Sequence, residues 1–196
     1  MQELFNPITP QAKAWGYSTM QANVPVLDTP RLRLRGYAVA DFPAMLAMGQ
    51  DPQVYRFLTG QPDTAEGVWN RLLRSAGHWA LQGYGFWAVE EKASGQFIGT
   101  VGLAEFLRGI EPPTVPATPE IGWVLAARTH GQGYATEAVA AVLPWADAFF
   151  GPRRTTCLIH PDNVASLRLA ARFGYREYAR AAYEGEPCVL LERWAE

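Results

Sequence analysis

Residues 120–143 read EIGWVLAARTHGQGYATEAVAAVL, and this stretch decides the fold. Its first six residues alternate as a strand does, with Ile121, Trp123 and Leu125 on one face. Two glycines follow, Gly131 and Gly133, and from Ala135 onward Ala138, Val139, Val142, Ala146 and Phe149 recur with the period of a helix ending at Gly151. A helix leaves its first four N–H groups without partners and carries roughly half a positive charge at that end. Gly131 and Gly133 remove side chains where a ligand would approach the main chain, and Ala135 adds only a methyl group. The main chain of Gly131, Gln132, Gly133, Tyr134, Ala135 and Thr136 is therefore suited to wrap a pyrophosphate.

A glycine turn before a helix is also a common tight turn, so the pattern needs context. A dinucleotide fingerprint wants a third small residue at position 136 and an early βαβ unit; Thr136 and the late placement argue against it. A P-loop needs a lysine after its second glycine, and this stretch has none.

Working outward, RLRLR at 31–35 puts Leu32 and Leu34 on one face of a half-buried strand. Asp41 is placed to cap a helix over FPAMLAMGQ, and Asp63 or Thr64 starts a second helix running to Gln82. YGFWAVEE and QFIGTVGLAEF read as a hairpin turning on Gly95. RGIEPPTVPATP (108–119) holds four prolines and reads as an exposed irregular loop. Pro144 predicts a kink or an early stop in the helix after the glycine turn. RRTTCLIH reads as a strand, DNVASLRLAARF as a helix capped by Asp162 or Asn163 and stopped by Gly174, and two strands close the chain. The order β-α-α-β-β-β-α-β-α-β-β implies an α/β protein with a mixed sheet flanked by helices. Residues 1–26, with scattered prolines and no periodicity, read as an irregular arm, and 27–196 as one domain.

Composition narrows the function classes. The chain has 196 residues, 48% hydrophobic and 18% charged, with a formal net charge of −2, so no general attraction to nucleic acid or anionic lipid is expected. The longest apolar run, 138–146, is far short of the ~20 residues of a membrane span, and no signal peptide is evident, which suggests a cytoplasmic protein. Cys157 and Cys188 lie in strand-like runs and read as buried thiols. His78, His130 and His160 are scattered, without metal-ligand spacing, so no metal is expected.

The segment HGQGYATEA, preceded by EIGWVL and followed by HPDNVASLRLAARFGY, resembles the GNAT N-acetyltransferase superfamily. LDTPRLRLRGYAVADFPAMLAMGQDPQVYRFL resembles the opening of its branch of ribosomal-protein N-terminal acetyltransferases. The resemblance covers residues 27 to about 194. It implies the GNAT fold, with about seven strands, acetyl-CoA as donor, a primary amine as acceptor and direct transfer in a ternary complex. It also places the pantetheine arm beside Val124, Leu125 and Ala126, where the fourth and fifth predicted strands splay apart. The family often carries arginine or glutamine where this chain has His130; Arg128, two residues earlier, is the candidate to supply that charge.

Acyl transfer from a thioester needs a neutral amine, a stabilised oxyanion and a proton for the leaving thiolate. Glu120 is the candidate base, directly or through water, although a strand-end glutamate is as often simply solvated; Glu184 and Glu186 compete for the role. Many relatives place an acidic tyrosine seven residues after the asparagine of the fifth-strand motif, and here that position is Ala170. Ser166 matches a serine of the ribosomal-protein branch and is the candidate partner for the leaving sulfur; an exposed helical serine without a task is the competing reading. By the same resemblance Asn163 hydrogen-bonds a pantetheine amide, and it also suits a helix cap. Arg168 and Arg172, four apart on one helical face, are candidates for the nucleotide phosphates. Aromatics near DPQVYRFLTG are candidates to line an acceptor groove, and the loops around 52–62, 107–119 and 182–187 to select the acceptor. Three outcomes stay open: a protein N-terminal α-amine as acceptor, a small amine such as a polyamine or aminoglycoside, or an acyl-CoA sensor without turnover. CVLLERW at the end of the chain suggests a strand able to pair across a homodimer.

Overall fold

Leu32 and Leu34 are completely buried, while Arg33 and Arg35 point to the other face, as their alternation requires. The computed structural model describes residues 23–111 and 118–195. Within them run strands β1 (Leu27–Asp28), β2 (Leu32–Arg35), β3 (Phe86–Glu91), β4 (Gln96–Ala104), β5 (Ile110–Glu111), β6 (Glu120–Leu125), β7 (Arg154–Ile159), β8 (Arg176–Tyr183) and β9 (Glu186–Trp194). The helices are α1 (Phe42–Gly49), α2 (Pro52–Tyr55), α3 (Ala65–Gln82), α4 (Tyr134–Phe150) and α5 (Val164–Arg172).

All nine strands form one mixed sheet in the order β1-β2-β3-β4-β6-β7-β9-β8-β5. Seven are the strands expected from the sequence; β1 and β5, two residues each, extend its edges. Only β6 and β7 pair in parallel, and their register holds a single pair, Glu120 with Thr156. Beyond it the strands diverge, because β6 continues along β4 while β7 continues along β9. That divergence opens the sheet beside the glycine turn.

Side-chain alternation divides the core between the two faces of the sheet. Val89 of β3 packs in the cluster containing Val139 and Val142 of α4, whereas its neighbour Ala88 packs in the cluster containing Met45 of α1 and Val68 and Leu72 of α3. Pro25 fixes the entering chain on the sheet by accepting a hydrogen bond from Trp87 Nε1 at 2.7 Å. Residues 1–22, most of the expected arm, lie outside the described residues.

Several sequence expectations change. Asp41 stands at the start of α1 but does not cap it; its carboxylate turns back to the guanidinium of Arg35, with both contacts at 2.8 Å, and to the N–H of Ala38. A buried carboxylate gains more from a bidentate cation than from a lone backbone donor. Thr64, by contrast, caps α3 through Gly67 N–H. Ile110 and Glu111, expected to be irregular, pair with Tyr183 and Ala182, because the prolines begin only after them; residues 112–117 of the same loop lie outside the described residues. α4 runs through Pro144 to Phe150 without the early stop, since Pro144 and Ala140, whose carbonyl loses its donor, both face water. Finally, β9 is an interior strand paired on both sides, so CVLLERW has no free edge for a dimer.

Candidate active site

The turn at residues 130–133 is built from both directions. The carbonyl of Ala126 accepts from the N–H and the hydroxyl of Thr129, which is buried, and His130 N–H donates to Ala127. Gly131 and Gly133 then adopt φ of +74° and +80°, left-handed values that glycine reaches without strain. The first helical bond in α4 beyond this turn is Glu137 N–H to Gly133. Hence the N–H groups of residues 131–136 make no hydrogen bond among the described residues, and all of these residues except Gln132 line a cleft of about 620 Å³.

Arg31, which the sequence presents only as the start of a strand, underlies this turn. Its Nη1 donates to the carbonyl of Gln132 at 2.9 Å, its Nε to Glu137 at 2.6 Å, and its guanidinium lies 4.3 Å from the centre of the Tyr134 ring. Glu137 would otherwise set a negative charge at the head of an anion-binding helix. Burial pushes its carboxyl up, but hydrogen bonds from Thr29 and from the backbone and side chain of Arg31 outweigh this and hold it below the usual carboxylate value. Nothing local in the sequence links residues 31 and 137; only the sheet brings them together.

The rest of the cleft follows the divergence of β6 and β7. Trp123, Val124 and Leu125 form one wall, and Asn163, Ser166 and Arg172 another. Asn163 accepts the N–H of Ser166 at 3.1 Å and so caps α5. Ser166 Oγ accepts from Trp123 Nε1 at 3.2 Å, a link between β6 and α5 that sequence spacing could not reveal. A hydroxyl whose oxygen accepts from an indole still has its own proton to donate. Tyr134 contributes main chain to the cleft while its hydroxyl turns to Glu91 on β3.

Other expected residues fall elsewhere. Ala126 closes β6 by donating to the carbonyl of Ile98 and packs with the α1 and α3 cluster, outside the cleft lining. Arg128 is exposed, reaches Gln96 on β4 at 3.1 Å and lies outside the cleft lining. His130 donates Nε2–H to the carbonyl of Leu125 and lines the cleft. Arg168 and Arg172 are both exposed, and of the two only Arg172 lines the cleft. Gln53 and Phe57, from α2 and the residues after it, cover the same cleft rather than a separate acceptor groove. Ala170 is fully buried, so no acidic side chain enters from that position.

Glu120, the first residue of β6, is clamped by Arg108, whose Nε and Nη2 donate to its two oxygens at 3.0 and 2.8 Å. Arg108 lies between the rings of Phe106 and Tyr183, at 4.3 and 4.7 Å. It borders a second cavity of about 620 Å³, whose far wall is the β8–β9 turn with Glu184; Glu186 lies outside the lining. Both thiols are buried, and burial pushes that of Cys157 far up, leaving it inert. Among the described residues no cluster of metal-binding side chains occurs, and no helix is long and apolar enough to cross a membrane.

A mixed sheet that opens between two parallel strands, with unpaired amides at the head of the connecting helix, defines a class of acyltransferase folds, and comparison with known proteins agrees. Residues 31–176 match the model of the acetyltransferase (GNAT) domain. The chain is 33% identical over 176 residues to YkkB, an uncharacterized protein of Bacillus subtilis (strain 168), covering 85% of this chain and 94% of that one. A solved GnaT-family structure from Bordetella pertussis is 35% identical, with a TM-score of 0.76 over 86% of this chain and 99% of that chain. The ribosomal L7/L12 α-N-protein acetyltransferase RimL, solved in complex with coenzyme A, shares the fold at 15% identity, with a TM-score of 0.68 over 87% of this chain and 98% of its own. The protein belongs to the GNAT family and is an N-acetyltransferase.

Proposed function

We propose that the protein transfers an acetyl group from acetyl-CoA to a primary amine, in the first place the α-amine of a protein N-terminus, by direct attack in a ternary complex. The observation that carries the donor half is the row of unpaired N–H groups at 131–136 opening on the β6–β7 cleft. Backbone donors at a helix head match a diphosphate. Arg172 stands at the same cleft to meet a further phosphate, and Asn163, with its oxygen spent on the α5 cap, has its amide N–H groups left for a pantetheine carbonyl. Ser166 is placed in this cleft to donate its hydroxyl proton to the departing sulfur.

The acceptor half rests on energetics and on Glu120. Freeing an alkyl ammonium of pKa near 10.4 at pH 7 costs about 4–5 kcal/mol, an α-ammonium near 7.7–8 only about 1–1.4 kcal/mol. Glu120, whose carboxylate is paired to Arg108, is the base for the lesser task, taking the proton of an α-amine through water. The amine nitrogen forms a bond to the thioester carbonyl carbon, the C–S bond breaks, and coenzyme A leaves as the thiol.

The test is thiol release from acetyl-CoA in the presence of N-terminal peptides or small amines. Release with peptides and not with polyamines or aminoglycosides supports the reading; the reverse transfers the activity to small amines. Coenzyme binding with no release under any amine marks a sensor.

A further inference from the structure

The second cavity carries an unanswered charge. Arg71 and Arg74 on α3 and Arg108 after β4 are close enough to influence one another. Arg71 is paired with Asp63 at 2.7 Å and Arg108 with Glu120 at 2.8 Å. Among the described residues Arg74 has no carboxylate within 4.0 Å, and its guanidinium lies over the Phe106 ring, at 5.8 Å, on the cavity wall. Arg74 is exposed at the cavity wall, and partial desolvation together with the charges of Arg71 and Arg108 pushes its pKa below the ordinary guanidinium value, so the site favours an incoming anion. One helical turn later, His78 lines the same cavity with its Nδ1 buried and without a partner. Burial and the charge of Arg74 lower its pKa below 6.5, so the ring is neutral at pH 7. Glu184 and Glu105, the latter 4.0 Å from Arg153, also line the cavity.

The cavity and the donor cleft lie toward opposite ends of β6 and share no lining residue. Glu120, Gly122 and Val124 share one face of that strand. Val124 lines the donor cleft, while Glu120 is held by Arg108 on the second cavity, so the two spaces meet opposite ends of a face about 13 Å long. Between them Gly122 presents no side chain; a Cβ there would lie 3.1 Å from the Phe86 ring.

We propose that this cavity is the acceptor site and that it selects an amine bearing a carboxylate near the nitrogen, with Arg74 binding the carboxylate and His78 Nδ1 accepting a hydrogen bond from the amine. This rests on the reading of the chain as an amine acetyltransferase and narrows its acceptor. Glu105 and Glu184 favour the positive amine end, so the walls match a zwitterion; a polyamine offers nothing to Arg74 and is repelled by it. The volume of about 620 Å³ suits a free amino acid or the first residues of an acidic N-terminus.

The experiment measures thiol release by the full chain at saturating acetyl-CoA with two substrate pairs. One pair is the amidated tetrapeptides Ala-Glu-Ala-Ala and Ala-Gln-Ala-Ala, in which the only carboxylate is a side chain. The other is alanine and alaninamide, in which it is the amino acid's own. The carboxylate-bearing member of at least one pair is expected to show a kcat/KM higher by about tenfold to a hundredfold, and the responding pair identifies the source. Arg74→Gln should abolish the preference and Arg74→Lys keep part of it, both with KM for acetyl-CoA unchanged. Equal rates within both pairs, or a preference that survives Arg74→Gln, overturn the proposal. Calorimetry of N-acetylalanine against N-acetylalaninamide in the presence of coenzyme A reads the same site without turnover. Tighter binding of the former, lost in Arg74→Gln, supports the anion site even if no amine releases thiol, an outcome that would instead sink the transferase reading; equal binding together with equal rates rejects the site.

Discussion

Replacing Gly131 with alanine separates backbone strain from ligand binding. Gly131 has φ of +74°, and a Cβ built there meets nothing within 4 Å. The substitution therefore costs only the left-handed conformation, about 1–2 kcal/mol. For a chain of this size that lowers Tm by about 2–4 °C per kcal/mol. Gly95, in the β3–β4 turn, has φ of +66° and equally open surroundings, so Gly95→Ala carries the same strain outside the cleft lining. The two variants should lose similar stability by differential scanning fluorimetry. They should differ in coenzyme binding, because the methyl group at 131 stands in front of the unpaired amides and holds a phosphate away from them. Losing one charge-assisted hydrogen bond, about 1.5–3 kcal/mol, weakens coenzyme A by about tenfold to 150-fold. Calorimetry with coenzyme A reads this directly, and acetyl-pantetheine, which lacks the diphosphate, should be used equally by both variants. Equal coenzyme affinity in Gly131→Ala and Gly95→Ala would refute the diphosphate site.

Glu120→Gln should lower kcat by about 10²–10⁴ while leaving KM for acetyl-CoA in place, and a near-normal kcat removes Glu120 from the proton path. Ser166→Ala takes the acceptor from Trp123 Nε1 as well as the proton for sulfur, so kcat should fall about tenfold or more with coenzyme affinity kept; an unchanged kcat leaves Ser166 a structural link only. Asp41 is 5% exposed, and Asp41→Ala leaves Arg35 with Glu90 alone; urea unfolding should show a loss of about 3 kcal/mol. The carboxyl of Glu137 is depressed in the folded protein, so its contribution is complete above the unfolded value of 4.5 and disappears as pH falls through the lower folded value. Urea midpoints should therefore separate wild type from Glu137→Gln above pH 4.5 and converge in stronger acid; a gap that does not change with pH would contradict this.

The order of elements and the location of the glycine turn were legible because each is a local pattern: alternation in RLRLR and EIGWVL, paired glycines, and caps placed to within a residue, at Asp63 or Thr64 and Asp162 or Asn163, which the structure resolves to Thr64 and Asn163. Of the two outcomes expected at Pro144 the early stop does not occur, because proline's cost depends on where the freed carbonyl points, and Ala140 and Pro144 both face water. Asp41 was misread because its partner, Arg35, came from the adjoining strand. The candidate site divided in the same way. Gly131–Thr136, Asn163 and Ser166 are read from consecutive residues, whereas Arg31 beneath the turn, Trp123 on Ser166 and Arg108 on Glu120 are pairings across elements.

By itself the sequence determined which backbone segments adopt which conformation, because hydrophobic period, glycine dihedrals and capping act within a few residues. Tertiary structure alone decided which charges are answered. Glu137 and Glu120 acquire arginines and Arg74 is left without a carboxylate among the described residues, since the energy of a charge depends on neighbours within a few ångströms whatever their distance along the chain.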